Sequence, residues 1–574
     1  MKNSLSNLKL TWNYVKKNKK ELYTFIFLNI LIIIIGIVVP ILSAQIIVNL
    51  TSNKFNQLLW ISLIVFIIEN IRNLIHFYGN RASQILYRES MSRIQNDLGK
   101  NILKLENNIL DKNGSGVFIQ RMTNDTARLA DIYDILTVYV SRIITNLGIF
   151  VAVFIINKLA FLFLLLSVII RYLIEYVRNN VLKINDKEAR KEAEKASSFA
   201  SEMIRGARDI KMLNAEESFE DALNERIIAL NSKRYNMAET NRRYGLLRGF
   251  AYDLSDLLLI ILLVQLIVLN KLEVAYAIII YNYSSKIPSI VNDIGTLLDK
   301  MRDFNLSAER IYSIINSEEF KKEQFGSKHI NKVKGDFEFR NVTFKYEEEE
   351  ILKDLSFKIE KNTTTAFVGK SGAGKSTIFN LLCKMYDIDS GEILIDGINI
   401  NELDKDSIRG NITIISQSPY IFNLSIKENL RLVKKDLTDK EMKQACHLAC
   451  LDEFIESLPE KYDTIVGEGG VNLSGGQKQR LAIARALIQK TEIILFDEAT
   501  SALDNETQSK IQDAIKNMKG KYTILIIAHR LSTVIDSDKI FIIEEGKVID
   551  SGTHKELLKK SDFYKQLYEK DLKK

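Results

Sequence analysis

GKSGAGKS, residues 369–376, is the stretch on which the reading of this chain turns. It fits G-x-x-x-x-G-K-[ST], with Gly369, Gly374, Lys375 and Ser376 in the required places. The glycines let the backbone turn tightly, so that successive N–H groups point inward at a phosphate chain. Lys375 is placed to reach β- and γ-phosphates, and the Ser376 hydroxyl to hold Mg²⁺. The flanks agree. An apolar, strand-like run, Thr365 to Val368, precedes the loop, and Thr377 to Tyr386 reads as a helix whose N-terminus faces the anion. A chance match in a chain of this size is on the order of a few per cent, so the elements downstream have to complete the argument.

They do so in order. The domain opens near Gly335 with the alternating FEFRNVTFKY (337–346), a strand pattern. Tyr346 at its end reads equally as an aromatic for stacking on a base and as a core residue. Strand-like runs over 393–415 lead to Gln417, whose amide can reach Mg²⁺ or its water. LSGGQ (473–477) opens a helix rich in Ala and Arg and makes a second anion cup, this one without a lysine. EIILFDE (492–498) is a buried strand ending in two carboxylates. Asp497 is placed to bind the metal and Glu498 to take a proton from an attacking water. His529, following the strand TILIIAH, is placed to donate to the γ-phosphate.

Working outward, a chain of 574 residues implies two or more domains. Apolar content, 46% overall, is concentrated in 22–50 and 246–285, whereas 316–350 is rich in Lys and Glu. The net charge of +7 is modest, with 79 basic against 72 acidic residues. Basic runs such as KKNKK (16–20) lie beside an apolar span and read as a cytoplasmic flank. No nucleic-acid-reading motif accompanies them, so nucleic acid is not an expected partner. Cys383, Cys446 and Cys450 all lie in the C-terminal half. Cys446-His447-x-x-Cys450 has helical spacing inside an apolar pattern, which favours packed, reduced thiols over a metal site.

Residues 1–20 are too polar for a signal peptide and read as a basic, weakly amphipathic helix on the inner membrane surface. Six apolar stretches follow, near 22–50, 56–79, 132–156, 159–178, 247–269 and 273–296, each reaching the ~20 helical residues that cross about 30 Å of hydrocarbon. Pro40 and Pro288 interrupt the first and last, which membrane helices tolerate. The short links carry one basic residue each, Lys54, Lys158 and Lys271, while 80–130 carries eight Lys/Arg and 178–245 carries fourteen. The termini and both long connections are therefore expected in the cytoplasm, with spans two to five continuing past the membrane as long helices. Glu69/Arg72 and Arg171/Glu175, at i,i+3 and i,i+4, read as neutralising pairs. Lys286, among Tyr276, Tyr281, Asn282, Tyr283 and Ser285, marks the most polar stretch of any span. A substrate-facing wall and interhelical hydrogen bonding are equal readings there.

With these motifs together, the second half resembles the nucleotide-binding domain of ATP-binding-cassette transporters, and the whole chain resembles a half-transporter of the six-span exporter type. The resemblance implies a Walker A loop over 369–377: Gly369, Lys370, Ser371, Gly372, Ala373, Gly374, Lys375, Ser376 and Thr377. It implies that Tyr346 stacks on adenine and that Gln417 is the Q-loop glutamine. Ser474, Gly475, Gly476 and Gln477 match the family signature, Asp497 and Glu498 the Walker B aspartate and catalytic glutamate. Ser501 to Asp504 match the D-loop, which puts Asp504 in the catalytic set, and His529 matches the switch histidine. TIVGEGG (464–470) resembles an exporter-specific loop, and 114–125 and 206–217 resemble the stretches around two coupling helices.

The implied fold is a six-helix transmembrane bundle with long cytoplasmic extensions, followed by an α/β P-loop domain with an antiparallel β subdomain and a helical subdomain. The implied domains are 1–315 (coupling regions 111–120 and 206–217), a linker 316–334, and 335–574. The implied activity is ATP-driven export of a drug, lipid or peptide across the cell membrane, with ATP and Mg²⁺ as cofactors. One phosphate loop and one LSGGQ per chain imply a dimer. A homodimer is the simpler reading, and a heterodimer with a degenerate partner is the alternative. Metal-chelate import, a soluble chromosome-type ATPase and a non-transporting ATP-switched regulator are the competing functions. No cysteine precedes Cys383, so a cargo-processing cysteine-protease domain is not expected.

Overall fold

A computed structural model describes residues 2–284, 286, 289–316, 319–467, 470–497, 518–527 and 534–572. Their contacts form two compact units: residues 1–103 with 115–319, and residues 104–114 with 320–574.

The first unit is helical: α1 (Lys2–Val15), α2 (Lys19–Thr51), α3 (Phe55–Ile102), α4 (Asn107–Gln120, broken at Gly114), α5 (Thr126–Ile156), α6 (Lys158–Arg205), α7 (Ala207–Met212), α8 (Glu216–Val268), α9 (Val274–Ser284) and α10 (Ser289–Asn316). The part of α4 before Gly114 belongs to the second unit. With few Gly and no Pro to stop them, α3, α6 and α8 run for 48, 48 and 53 residues. At 1.5 Å per residue that is about 70–80 Å, more than twice a bilayer's hydrocarbon. Among the described residues, five helical stretches are long and apolar enough to cross a membrane: α2, α3, 107–156, α6 and α8. The sixth expected span falls on α9 and the start of α10, and Ser285 and Pro288 lie outside the described residues. Pro40 sits inside α2 without ending it. Trp60, Phe66 and Phe77 are each more than 60% exposed, an apolar exterior suited to lipid rather than water.

The basic N-terminal segment forms the expected helix, yet protein meets part of its surface. Trp12 packs on Tyr133 of α5, with ring centroids 5.2 Å apart. The Thr11 hydroxyl is 2.8 Å from that of Tyr312 on α10. Of the two expected ion pairs, Glu69–Arg72 forms at 2.5 Å. The second does not form. Buried Glu175 accepts from Arg248 at 3.0 Å and lies 2.9 Å from Arg178, while the Arg171 guanidinium stands 4.8 Å over the Tyr252 ring. A carboxylate already held by two guanidinium groups gains little from a third, and Arg171 takes the aromatic face instead.

The second unit is built on a six-stranded sheet. Its strands are β3 (Thr364–Val368), β6 (Ile412–Ile415), β9 (Ile493–Asp497), β10 (Thr523–Ile527), β11 (Lys539–Glu544) and β12 (Lys547–Gly552), in the order β12-β11-β3-β10-β9-β6. All neighbours are parallel except β11–β12. Both faces are covered, which is why the central strands read as unbroken apolar runs. Ile524 and Ile526 enter one core, and Leu525 and Ile527 the other. The second core is closed by an antiparallel sheet of β1 (Phe337–Tyr346), β2 (Glu349–Ile359), β4 (Ser390–Ile395) and β5 (Ile398–Asn399), with α11 (Lys375–Leu382). The first is closed by short helices, chiefly Asp439–Leu448, Asp452–Ser457 and Gly475–Gln489, beside a two-stranded antiparallel ribbon of β7 (Leu424–Ser425) and β8 (Ile465–Val466). Cys383 and Cys446 are buried, and burial pushes both thiols up to about 12, so they stay protonated near neutral pH.

Arg409 pins the start of this unit. It forks onto Glu323 at 3.0 and 2.7 Å, and donates to the carbonyls of Cys383 (3.0 Å) and Lys384 (2.8 Å). Lys405, 3.6 Å from Glu323, is a poor substitute for the fork. Arg409→Ala is expected to destabilise the unit by about 3 kcal/mol. A thermal melt of the full chain checks this: the transition in which this unit unfolds should move down, with Arg409→Lys in between.

Candidate functional site

The loop 369–374 leaves the C-terminal end of β3, where doubly wound sheets bind ligands. Phe367 of β3 is in register with Ile527 of β10, and Ile527 with Asp497 of β9, so three strands end level. Two glycines are required by the geometry. Gly369 has φ +156°, and an added Cβ would stand 2.1 Å from the Ile543 carbonyl oxygen. Gly374 has φ +96°, with Leu352 Cδ2 2.7 Å from such a Cβ. Gly374 is also the N-cap of α11, so the free N–H groups of that helix's first turn belong to the loop.

Lys375 is 5% exposed, and its ammonium donates to the carbonyls of Gly369 (3.0 Å) and Lys370 (2.7 Å). A buried ammonium held by its own loop places fixed positive charge beside the N–H groups that open α11. That arrangement suits a polyphosphate. The Ser376 hydroxyl donates to Asp497 Oδ1 at 3.1 Å, bringing loop and β9 together. A hydroxyl and a carboxylate are hard oxygen donors, and Mg²⁺ is characteristically held by one or two such groups plus phosphate oxygens. Among the described residues, no group of three or more His, Cys, Asp and Glu side chains is gathered to hold a metal. Ser371, Gly372 and Ser376 face outward, while Ala373 and Thr377 are buried. The Lys370 ammonium pairs with Glu544 at 3.2 Å and lies 5.6 Å from the Phe563 ring centroid. The sequence reading missed Glu544, because its partner is brought to it only by the β3–β11 pairing.

Tyr346 is half-buried and edge-on to Phe344 and Tyr386 (4.8 and 5.1 Å), and its hydroxyl accepts from Asn380 at 3.4 Å. It is thus part of an aromatic cluster at the rim of the β1–β2 core. Gln417 is exposed, and its backbone carbonyl accepts from Gln479 at 3.0 Å. Ser474 caps the Gly475–Gln489 helix in a reciprocal box. Its hydroxyl accepts from the Gln477 N–H (3.2 Å), and the Gln477 side chain accepts from the Ser474 N–H (2.8 Å). Ser474 and Gly475 are exposed, so this helix terminus is open to a partner. Glu498, Ser501 to Asp504 and His529 lie outside the described residues. In the first unit, Tyr283 is buried, Tyr281 donates to Asp256 at 3.1 Å, and Lys286 is exposed.

Comparison with known proteins gives matches over both units. Residues 352–501 match the family described as ABC transporter, and 22–287 the ABC transporter transmembrane region. The ATP-dependent lipid A-core flippase of Wigglesworthia glossinidia brevipalpis is 30% identical over 483 residues, covering 83% of this chain and 82% of that protein. The flippase of the same name from Salmonella typhimurium is 30% identical over 539 residues (89% and 88%). An uncharacterized ABC transporter ATP-binding protein, YfiC of Bacillus subtilis, is 27% identical over 577 residues (100% and 95%). Among solved structures, a bacterial Atm1-family ABC exporter with ATP bound superposes with a TM-score of 0.84 at 23% identity, covering 96% of this chain and 99% of that one.

Proposed function

Because this chain belongs to the ABC transporters, as an ATP-hydrolysing exporter half-transporter, we propose that two copies assemble and move a lipid-like amphiphile outward across the cell membrane. The observation that carries this reading is the level alignment of the 369–376 loop with Asp497, in a chain whose described residues also include five apolar helical stretches long enough to cross a membrane. The lipid-like substrate rests on the two relatives that are flippases by name. Neither metal-chelate import nor a non-transporting regulatory role is favoured by them.

In this reading the backbone N–H groups of Lys370 to Ser376 and the Lys375 ammonium bind the triphosphate, and Tyr346 stacks on the base. Ser376 and Asp497 would hold Mg²⁺, with Gln417 within reach as a further oxygen donor, and the ion would supply neutralisation of the charge on the phosphates. Glu498 takes the proton of the attacking water, and His529 and Asp504 act beside the γ-phosphate. The open terminus at Ser474 to Gln477 receives the γ-phosphate held by the other copy. The nucleotide units lie in the cytoplasm. Bound triphosphates hold them together, hydrolysis lets them part, and the long α3, α6 and α8 carry the motion into the bilayer.

Complementation tests the composite site. Chains carrying Lys375→Ala alone, or Ser474→Arg alone, form dimers with no intact loop–signature pair. A mixed dimer regains one. Hydrolysis by the mixture is expected to exceed that of either parent in proteoliposomes, together with ATP-dependent movement of a fluorescent short-chain lipid. A mixture no better than its parents removes the two-copy site, and hydrolysis without any lipid movement removes the exporter reading.

A further inference from the structure

The first unit contains a cleft of about 320 Å³ between α6, α8 and α10, lined by Arg171, Glu175, Gly245, Arg248, Gly249 and Tyr252 among others. Its volume falls in the ~300–1,000 Å³ range of small-molecule sites. Its depth follows from the helices. Arg171 is thirteen residues beyond Lys158 and Tyr252 seventeen before Leu269. At 1.5 Å per residue, both are about 20–25 Å from the ends of the short links. The cleft therefore sits toward the side that carries the long basic connections, within about 5–10 Å of the level where acyl chains give way to headgroups.

Its charge is unbalanced. Glu175 is taken by Arg248 (3.0 Å) and by Arg178 behind it (2.9 Å). Arg171 is left with an aromatic face and makes no close ion pair, feeling the charge of Asp256 only at longer range, and its Nε is buried without a hydrogen-bond partner. The nearby acid Asp256, one turn further along α8 from Tyr252, is engaged by the Tyr281 hydroxyl. Three guanidinium groups, Arg171, Arg178 and Arg248, thus stand against two carboxylates, Glu175 and Asp256, and a buried donor left unmet at this depth is costly. One wall is bare backbone: Gly245 and Gly249 stand one helical turn apart, and a Cβ added to either would meet nothing within 4 Å. A planar, forked donor beside a vacant wall suits a phosphate or carboxylate oxygen pair.

We propose that this cleft binds the anionic headgroup of an amphiphile, a phosphate monoester above all, with Arg171 as the ligand's principal donor and Arg248 the second. The proposal rests on the exporter reading for its choice of an amphiphile, and it narrows that reading to an anionic substrate class. Tyr252 holds the Arg171 fork in plane, and the glycine wall leaves room for the glycerol or sugar that carries the phosphate.

The test is binding of dioctanoyl phosphatidic acid to the full chain in phosphatidylcholine nanodiscs, without nucleotide, by titration calorimetry. Dioctanoyl phosphatidylcholine and inorganic phosphate serve as the other probes. Phosphatidic acid should bind, at least about tenfold more weakly to Arg171→Gln, the loss of one charged hydrogen bond. Arg171→Lys, which keeps the charge but not the fork, should fall between the wild type and Arg171→Gln, and Gly249→Leu, which fills the wall, should abolish binding. Wild-type affinity in a folded Arg171→Gln or in Gly249→Leu overturns the site. Phosphatidylcholine as tight as phosphatidic acid overturns the anionic class, and inorganic phosphate as tight overturns the amphiphile. Should Arg171→Gln fail to fold, Gly249→Leu decides alone. Wild-type ATP hydrolysis is measured separately, so a failure of the exporter reading shows there and a failure of the cleft shows in the titration.

Discussion

Lys375→Ala is expected to weaken ATP binding by at least about a hundredfold and to bring hydrolysis to background. The ammonium is 5% exposed and is held by two loop carbonyls, so its charge is fixed before any nucleotide arrives. Contacts from such a group to two phosphates are charge-assisted hydrogen bonds worth about 1.5–3 kcal/mol each. Losing both amounts to roughly two to four decades in affinity. The substitution also frees the carbonyls of Gly369 and Lys370, which slackens the turn that aims the N–H groups. Titration with a fluorescent nucleotide measures the binding, and phosphate release the turnover. Wild-type affinity in this variant would remove Lys375 from the phosphate site.

Glu498→Gln should separate binding from chemistry. Asp497 ends a buried parallel strand at the level of Ile527, and Glu498 follows it in the chain. Glutamine keeps the size and hydrogen-bonding reach of the side chain but cannot accept a proton. A general base contributes roughly 10²–10⁴-fold, so turnover should fall at least a hundredfold while affinity stays within a few-fold. Nucleotide should then be retained, unhydrolysed, through rapid gel filtration. Turnover like that of the wild type would show that another group accepts the proton.

The geometry of the 369–376 loop was legible because its requirements are local: a strand, two turns that only glycine tolerates, and a helix start. The long membrane helices were legible for a similar reason, since the absence of Pro and Gly acts residue by residue. What escaped the sequence depended on partners remote along the chain. Arg171 and Glu175 have the spacing of a pair, but Arg248, seventy-three residues from Glu175, takes the carboxylate. The same packing of α6 against α8 creates a cleft that no single segment announces, although the Gly245-x-x-x-Gly249 spacing beside Arg248 was a signal available in the sequence. Helix α11 stops at Leu382 rather than running to Tyr386, because Lys384 turns into the left-handed region at φ +48°. The amphipathic pattern of residues 1–20 gave the helix but not its covering, which Tyr133 and Tyr312 supply from 120 to 300 positions away.

The strip 104–114 has a further implication. It bonds to the beginning of the C-terminal unit through Glu106 N–H to Lys321 O (3.2 Å) and Glu323 N–H to Lys104 O (2.9 Å). Asp111 accepts from the Tyr386 hydroxyl at 2.6 Å, and Asn107 donates to the Met385 carbonyl at 3.1 Å. No single scission of the polypeptide can therefore release the ATP-binding body whole. A fragment beginning at Phe320 would carry an unsealed seam where this loop, borrowed from between two membrane crossings, ordinarily lies.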